Sequence, residues 1–263
     1  MSRVRLTIAY DGTDFRGLAP NPDVRTVVGE LTPVLEAILG PIDEIHMSGR
    51  TDAGVHAREQ VLSFDTDAAI DPVRLAKSIT SRLGPEVVAT DVRIAEDPRF
   101  HARFSATGRS YRYTVLNHEH PLPFQARTEW WVKDPLNLAT MQLACDPFIG
   151  EHDFASFCRR PKQPDHEPPA SLVRRIDAAR WSEHFDDSGH RRLRFEISGS
   201  AFCHQMVRSI VGFHVAVGRG RRSPGEVRSV LAARDRNAAP SPAPPHGLTL
   251  WNVRYDGERP TPR

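Results

Sequence analysis

Apolar and polar positions alternate from Val4 to Tyr10, with Val4, Leu6, Ile8 and Tyr10 on one face and Arg5, Thr7 and Ala9 on the other. This period of two predicts an opening strand with one buried face, turned by Asp11-Gly12-Thr13. Val27, Leu31, Val34, Leu35 and Ile38 recur at helical spacing and stop at Gly40. Pro33 conflicts with that pattern unless Thr32 caps the helix and Pro33 is its first residue. Ile45 with Met47, and 61–65, read as two short strands around a polar loop. Asp71-Pro72 is an N-cap and first-turn pair opening a helix with Leu75, Ile79 and Leu83 inward.

Further along, Val88, Thr90, Val92 and Ile94 alternate as a strand, and 110–116 is another, with Tyr111, Tyr113 and Val115 on one face and Arg112 and Thr114 on the other. Asp134-Pro135 starts a helix bearing Leu138, Met141, Cys145 and Phe148. Strands near 172–181 and 193–198 flank a polar hairpin, Asp186-Asp187-Ser188-Gly189. Phe202, Met206, Ile210, Phe213 and Val217 predict a helix buried on one side with Arg208 riding on it, and Ser223-Pro224-Gly225-Glu226 is a capping box for a short helix through Leu231. A last strand covers 248–255. The segments 159–171 and 238–246 are proline-rich coil, and 257–263 reads as a disordered tail. Strands and helices mixed without strict alternation predict an α+β fold with antiparallel sheet.

The loop 48–57, Ser-Gly-Arg-Thr-Asp-Ala-Gly-Val-His-Ala, stands apart from this pattern. It sits between two strands and holds one carboxylate, Asp52, with Arg50 two residues before it and His56 four after. Its two glycines permit a tight turn and close approach of another molecule. On spacing alone this is the vocabulary of a polar hairpin loop; an arginine so near an acid can also keep it ionised and grip phosphate, which suits a nucleophile acting on a polyanion. In 97–110, Phe100, His101, Arg103, Phe104 and Arg109 interleave aromatic rings with arginines, a mixture that suits base stacking and phosphate contact and equally suits aromatics in a core with arginines solvated at its rim.

Composition narrows the class. No apolar run in the 263 residues is long enough to span a membrane and the N-terminus has no signal-peptide core, so the chain is expected in the cytoplasm. The 35 basic and 33 acidic residues leave a net charge of only +2, so bulk charge does not announce a nucleic-acid binder. Cys145, Cys158 and Cys203 are far apart in sequence and without ligand spacing, which argues against a disulfide framework and a structural zinc. The twelve histidines show no ligand spacing and there is no glycine-rich phosphate loop, so no metal and no cofactor are expected.

Nine consecutive residues, 49–57, resemble the catalytic motif of the TruA-type tRNA pseudouridine synthases. Residues 6–17, Phe104-Ser105-Ala106 with Tyr111-Arg112-Tyr113, 150–154, 206–212 and 247–250 are similar to further motifs of that family, in order along nearly the whole chain. The resemblance implies two similar α/β halves, 1–104 and 105–256, sharing a mostly antiparallel central sheet with helices packed on it and an active-site cleft between them. It implies isomerisation of uridine to pseudouridine at positions 38, 39 and 40 of the tRNA anticodon stem-loop, by a homodimer. Asp52 would be the nucleophile, Tyr111 would pack on the target base, and Arg208 would pair with Asp52. Arg50 would help extrude the base, His56 and Arg58 would lie along the substrate, and Leu248 or Leu250 would wall the pocket. Two rivals remain at this level: an RNA-binding or RNA-folding protein with weak catalysis, and a synthase for another RNA. The chain departs from the family at Leu18-Ala19-Pro20-Asn21-Pro22, in place of tryptophan and glutamines, and at Val28, in place of glutamine; the departure bears on RNA contact.

Overall fold

The computed structural model describes residues 1–160 and 170–256. The tail 257–263 and most of the coil expected at 159–171 lie outside the described residues. Among the described residues ten strands and five α-helices form two compact units, Met1–Arg109 with the segment that starts at Thr249, and Ser110–Leu248. Strand pairing is mostly antiparallel, and the fold is α+β.

In the first unit β1 (Ser2–Tyr10) lies between β3 (His56–Thr66) and β4 (Val87–Ile94), antiparallel to both. The two-residue β2 (His46–Met47) pairs with β3, and β10 (Leu248–Tyr255) runs parallel to β3, with Leu250 opposite Ala57. Helices α1 (Val27–Leu39) and α2 (Pro72–Leu83) bury Leu31, Leu35, Leu75 and Ile79. The Asp71 cap forms as expected, its carboxylate accepting from Arg74 N–H at 3.0 Å. Helix α1 differs: Thr26 caps it, its hydroxyl accepting from Gly29 N–H at 3.2 Å, so Pro33 lies inside the helix. Thr32 is not the cap, and its hydroxyl donates to the Val28 carbonyl instead at 2.8 Å. Strand β4 also differs, because the register with β1 slips between Thr7 and Ile8. The extra residue at that bulge moves the inward face, so Val87, Ala89 and Val92 are buried while Thr90 and Ile94 are exposed.

In the second unit β5 (Ala106–Asn117, from Ser110 onward), β9 (Arg191–Gly199), β8 (Val173–Phe185) and β7 (Gly150–Asp153) follow one another, with β6 (Trp130–Val132) parallel to β5. Helix α3 is shorter than expected, Leu138–Leu143, and is capped by Asn137 rather than Asp134. Phe148 is buried on a separate 3-10 turn. Helix α4 (Met206–Gly218) starts four residues after Phe202 and is buried on nearly all sides, not one. Gly212 lets the 241–243 backbone pass against it, since a Cβ there would meet the Ser241 carbonyl. Helix α5 (Glu226–Ala233) keeps half of its capping box, Glu226 accepting from Ser223 N–H at 2.6 Å.

The polar group at the centre of this second core is His214, fully buried on α4. Its Nδ1 accepts from Trp181 Nε1–H at 3.0 Å, which leaves the ring proton on Nε2 to donate to the Ala144 carbonyl at 3.2 Å. Burial pushes the imidazole from 6.5 down to about 4. The unfolded chain therefore takes up a proton below about pH 6.5 that the folded chain refuses until about pH 4. Stability from this group is full above pH 6.5 and is lost as pH falls toward 4, by at most on the order of 3 kcal/mol. His214→Gln keeps an acceptor and a donor without the titration. Urea unfolding at pH 7.5 and 4.5 is expected to show a smaller acid loss in the variant, and equal losses would refute the assignment.

Candidate active site

The loop 48–55 joins β2 to β3 and is closed by a turn, Val55 N–H to the Asp52 carbonyl at 3.2 Å, with Gly54 at φ 76°. Its backbone is held from several directions. The Arg109 guanidinium donates to the Ser48 carbonyl at 2.8 Å, and Gln60 donates to the Gly49 carbonyl at 2.8 Å while accepting from the Ser48 hydroxyl at 2.5 Å. Leu18 N–H reaches the Thr51 carbonyl at 3.3 Å, and Gly54 N–H reaches the Phe15 carbonyl at 3.2 Å. Beneath the loop the Tyr10 hydroxyl meets the Thr51 hydroxyl at 2.7 Å, and burial pushes the Tyr10 phenol up to about 12, so it stays a neutral hydrogen-bonding group. Asp52 is thus half-buried on a fixed backbone, and Arg50 beside it is exposed.

His56 begins β3, buried, with Nδ1 accepting from Gly12 N–H at 3.0 Å. The same nitrogen lies 3.1 Å from Asp11 Oδ1, which already accepts from Thr13 N–H and hydroxyl. The amide contact has a donor facing an acceptor, so it is the one that sets the orientation of the ring. Arg58 is exposed and lies over the Trp251 ring at 4.7 Å. Leu250 is fully buried. The departures from the family divide: the side chains of Leu18 and Val28 are core, at most 1% exposed, and not surface, while Pro20, Asn21 and Pro22 are exposed.

In the second unit Tyr111 is buried on β5, its ring edge-on to Phe202 at 5.0 Å. Arg208 lies in the first turn of α4, half-buried, its Nε donating to the Ala243 carbonyl at 2.8 Å while Ala243 N–H donates to the Arg208 carbonyl at 2.9 Å. Tyr113 donates to the Pro244 carbonyl at 2.8 Å. Its phenol is raised well above 10 by burial, an effect the Arg208 charge opposes. A Cβ at Gly247 would fall 2.6 Å from the Tyr113 ring, so Arg208, Tyr113 and the segment before Leu248 form one packed group. Leu248 is 5% exposed.

Four supports escaped sequence reasoning. Tyr10, Gln60 and Gly12 carry no local signal of their role, and Arg109 reads as a nucleic-acid residue when its guanidinium is spent on the backbone carbonyls of Ser48, Arg103 and Ala106. Among the described residues no group of three or more His, Cys, Asp or Glu side chains is placed to hold a metal ion. No helix of the described residues is long and apolar enough to cross a membrane.

Residues 144–256 match a family model described as tRNA pseudouridine synthase. Over 256 residues the chain is 40% identical to tRNA pseudouridine synthase A of Bacillus subtilis, a match covering 97% of this chain and 99% of that one. It is 38% identical over 256 residues to the protein of the same name from Maridesulfovibrio salexigens, covering 97% and 91%, and 39% identical over 257 residues to that of Chromobacterium violaceum, covering 97% and 94%. Among solved structures, a chain of a Cbf5-Nop10-Gar1 complex aligns with 81% of this chain and 45% of its own at 12% identity, with a TM-score of 0.34, a likeness too slight to argue from.

Proposed function

The chain belongs to the tRNA pseudouridine synthase A family, and from that premise we propose how it isomerises uridine to pseudouridine in tRNA. The substrate is the anticodon arm, at uridines 38 to 40, and the working form is a homodimer. Asp52 is the nucleophile, Tyr111 receives the target base, and Arg208 supplies the positive charge the reaction uses. Arg50 and Arg58, both exposed, lie along the RNA, His56 braces the loop through the Gly12 amide, and Leu248 or Leu250 walls the pocket.

The chemistry needs no cofactor. The N1–C1′ bond breaks, a C5–C1′ bond forms, the proton on C5 leaves and N1 takes up a proton, so atoms and electrons balance within the nucleoside. What the enzyme must supply is a carboxylate to carry the detached ring or sugar, and a held geometry for the turned base. The base must first leave its stack, at a cost of about a few kcal/mol. The observation that carries this reading is the Asp52 loop, whose backbone is fixed by Arg109, Gln60, Leu18 and Phe15 so that the carboxylate points from a rigid mount. Because C5 loses its hydrogen at every turnover, a tRNA transcript labelled with tritium at uridine C5 is expected to release label to water with the purified protein. Sequencing of the product should place pseudouridine at 38 to 40; no release from any tRNA that the protein binds would sink the reading.

A further inference from the structure

Phe104 is among the most exposed large apolar side chains among the described residues, at 75%, yet its backbone is firmly held. His101 Nδ1 accepts from both Arg103 N–H at 3.1 Å and Phe104 N–H at 3.3 Å, and Ser105 closes the turn onto the His101 carbonyl at 2.9 Å. Ala102, buried just before, is tied by Ser63 and Tyr255. The His46 and His101 rings stack at 4.1 Å between centroids, and the Phe104 ring, outermost, lies tilted by 41° against His101 at 4.4 Å. Arg103 lies 5.4 Å from the Phe104 centroid. Phe100, the other aromatic of the stretch, is instead spent on Arg5 and Tyr255.

We infer that Phe104 is a stacking platform for an unpaired base of the bound RNA. An exposed apolar ring on a rigid mount offers a flat face at little conformational cost, and base–aromatic stacking uses such a face whatever the base. One ring beside an arginine is too small an apolar patch to dock a folded protein, whereas the neighbouring positive charge suits a ligand that is aromatic and anionic at once. The platform is also coupled to the Asp52 loop: the same Arg109 guanidinium that holds the Ser48 carbonyl holds the Arg103 carbonyl at 2.8 Å. A base stacked there would therefore be registered against the loop. The inference rests on the RNA-modifying reading above and adds a contact to it.

The test uses the full-length protein and an unmodified tRNA transcript, with Phe104→Ala, Phe104→Leu and Phe104→Trp. At this exposure none should alter the thermal melt. Kd from anisotropy should rise roughly ten- to a hundredfold for Ala and Leu and stay near the wild-type value for Trp, whose added indole emission should be quenched by tRNA. An unchanged Kd for Ala overturns the inference, and so does a Leu variant that binds like wild type, since bulk without a ring face would then suffice. A changed sedimentation coefficient of the free Ala variant also overturns it, by making this face an interface between copies. Wild type that binds tRNA but releases no tritium would sink the isomerase reading alone, with the Kd series still deciding this one; wild type that binds no tRNA would overturn both.

Discussion

Asp52→Asn is expected to lower tritium release by on the order of 10⁴-fold while leaving tRNA affinity within a few-fold of wild type. The amide matches the carboxylate in size and keeps a hydrogen-bonding oxygen, so the loop, anchored through Ser48, Gly49 and Thr51, has no reason to move. Affinity for a polyanion comes chiefly from arginines on phosphate, which this change does not touch. Asp52→Glu supplies the charge but pushes it outward by one methylene. On a backbone this tightly held the shift cannot be absorbed, and a loss of about 10²-fold is expected for an error near 1 Å. Single-turnover assays at saturating tRNA check both. An Asn variant retaining more than a few per cent of the wild-type rate would place the nucleophile elsewhere, and equal losses for Asn and Glu would mean that placement is not what the braced loop provides.

The parts legible in the sequence are those governed by local rules. The alternation of β1 and the Asp71-Pro72 start of α2 are set by residues a few positions apart, and both elements form as read. The misreadings come from distant partners. The bulge in β4 is a matter of pairing with β1, some 80 residues earlier, and α4 is buried all round because the 241–243 backbone covers the side that periodicity would leave wet. Pro33 sits inside α1 because the helix is nucleated at Thr26 and its packing outweighs one missing hydrogen bond. At the candidate site the nine-residue motif around Asp52 is legible at once, but the bonds that hold it are not. Tyr10 and Arg109 are 41 and 61 positions from the groups they secure. The 97–110 stretch shows the same limit: composition offers Phe100, Phe104, Arg103 and Arg109 as one nucleic-acid segment, and only packing separates the two that are consumed internally from the two that face outward.

Gly12→Ala should cost nearly as much activity as an error at Asp52 itself, although residue 12 carries no side chain. Gly12 crosses directly over the end of the Asp52 loop, where its N–H donates to His56 at 3.0 Å and its carbonyl accepts from Phe15 N–H at 3.1 Å. A Cβ would meet the Val55 carbonyl oxygen well inside van der Waals contact, with the carbonyl carbon only 2.6 Å away. Both obstacles are backbone, so no rotamer change relieves the clash, and either the 11–13 turn or the 52–55 turn must shift by about an ångström. Overpacking of this kind costs about 1–3 kcal/mol of stability, which a core of this size survives. The catalytic cost is greater, because the displaced segment carries the carboxylate: a fall of about 10²-fold or more in the single-turnover rate is expected. Tyr10 and Gln60 remain in place, so binding of tRNA should change little. Gly189→Ala, at φ 79° with no atom within 4 Å of the added Cβ, is the control for glycine replacement as such, and it should lose stability from backbone strain without losing rate. A Gly12→Ala protein with the wild-type rate would show that the loop tolerates displacement, and the rigid mount would then not be the source of the activity.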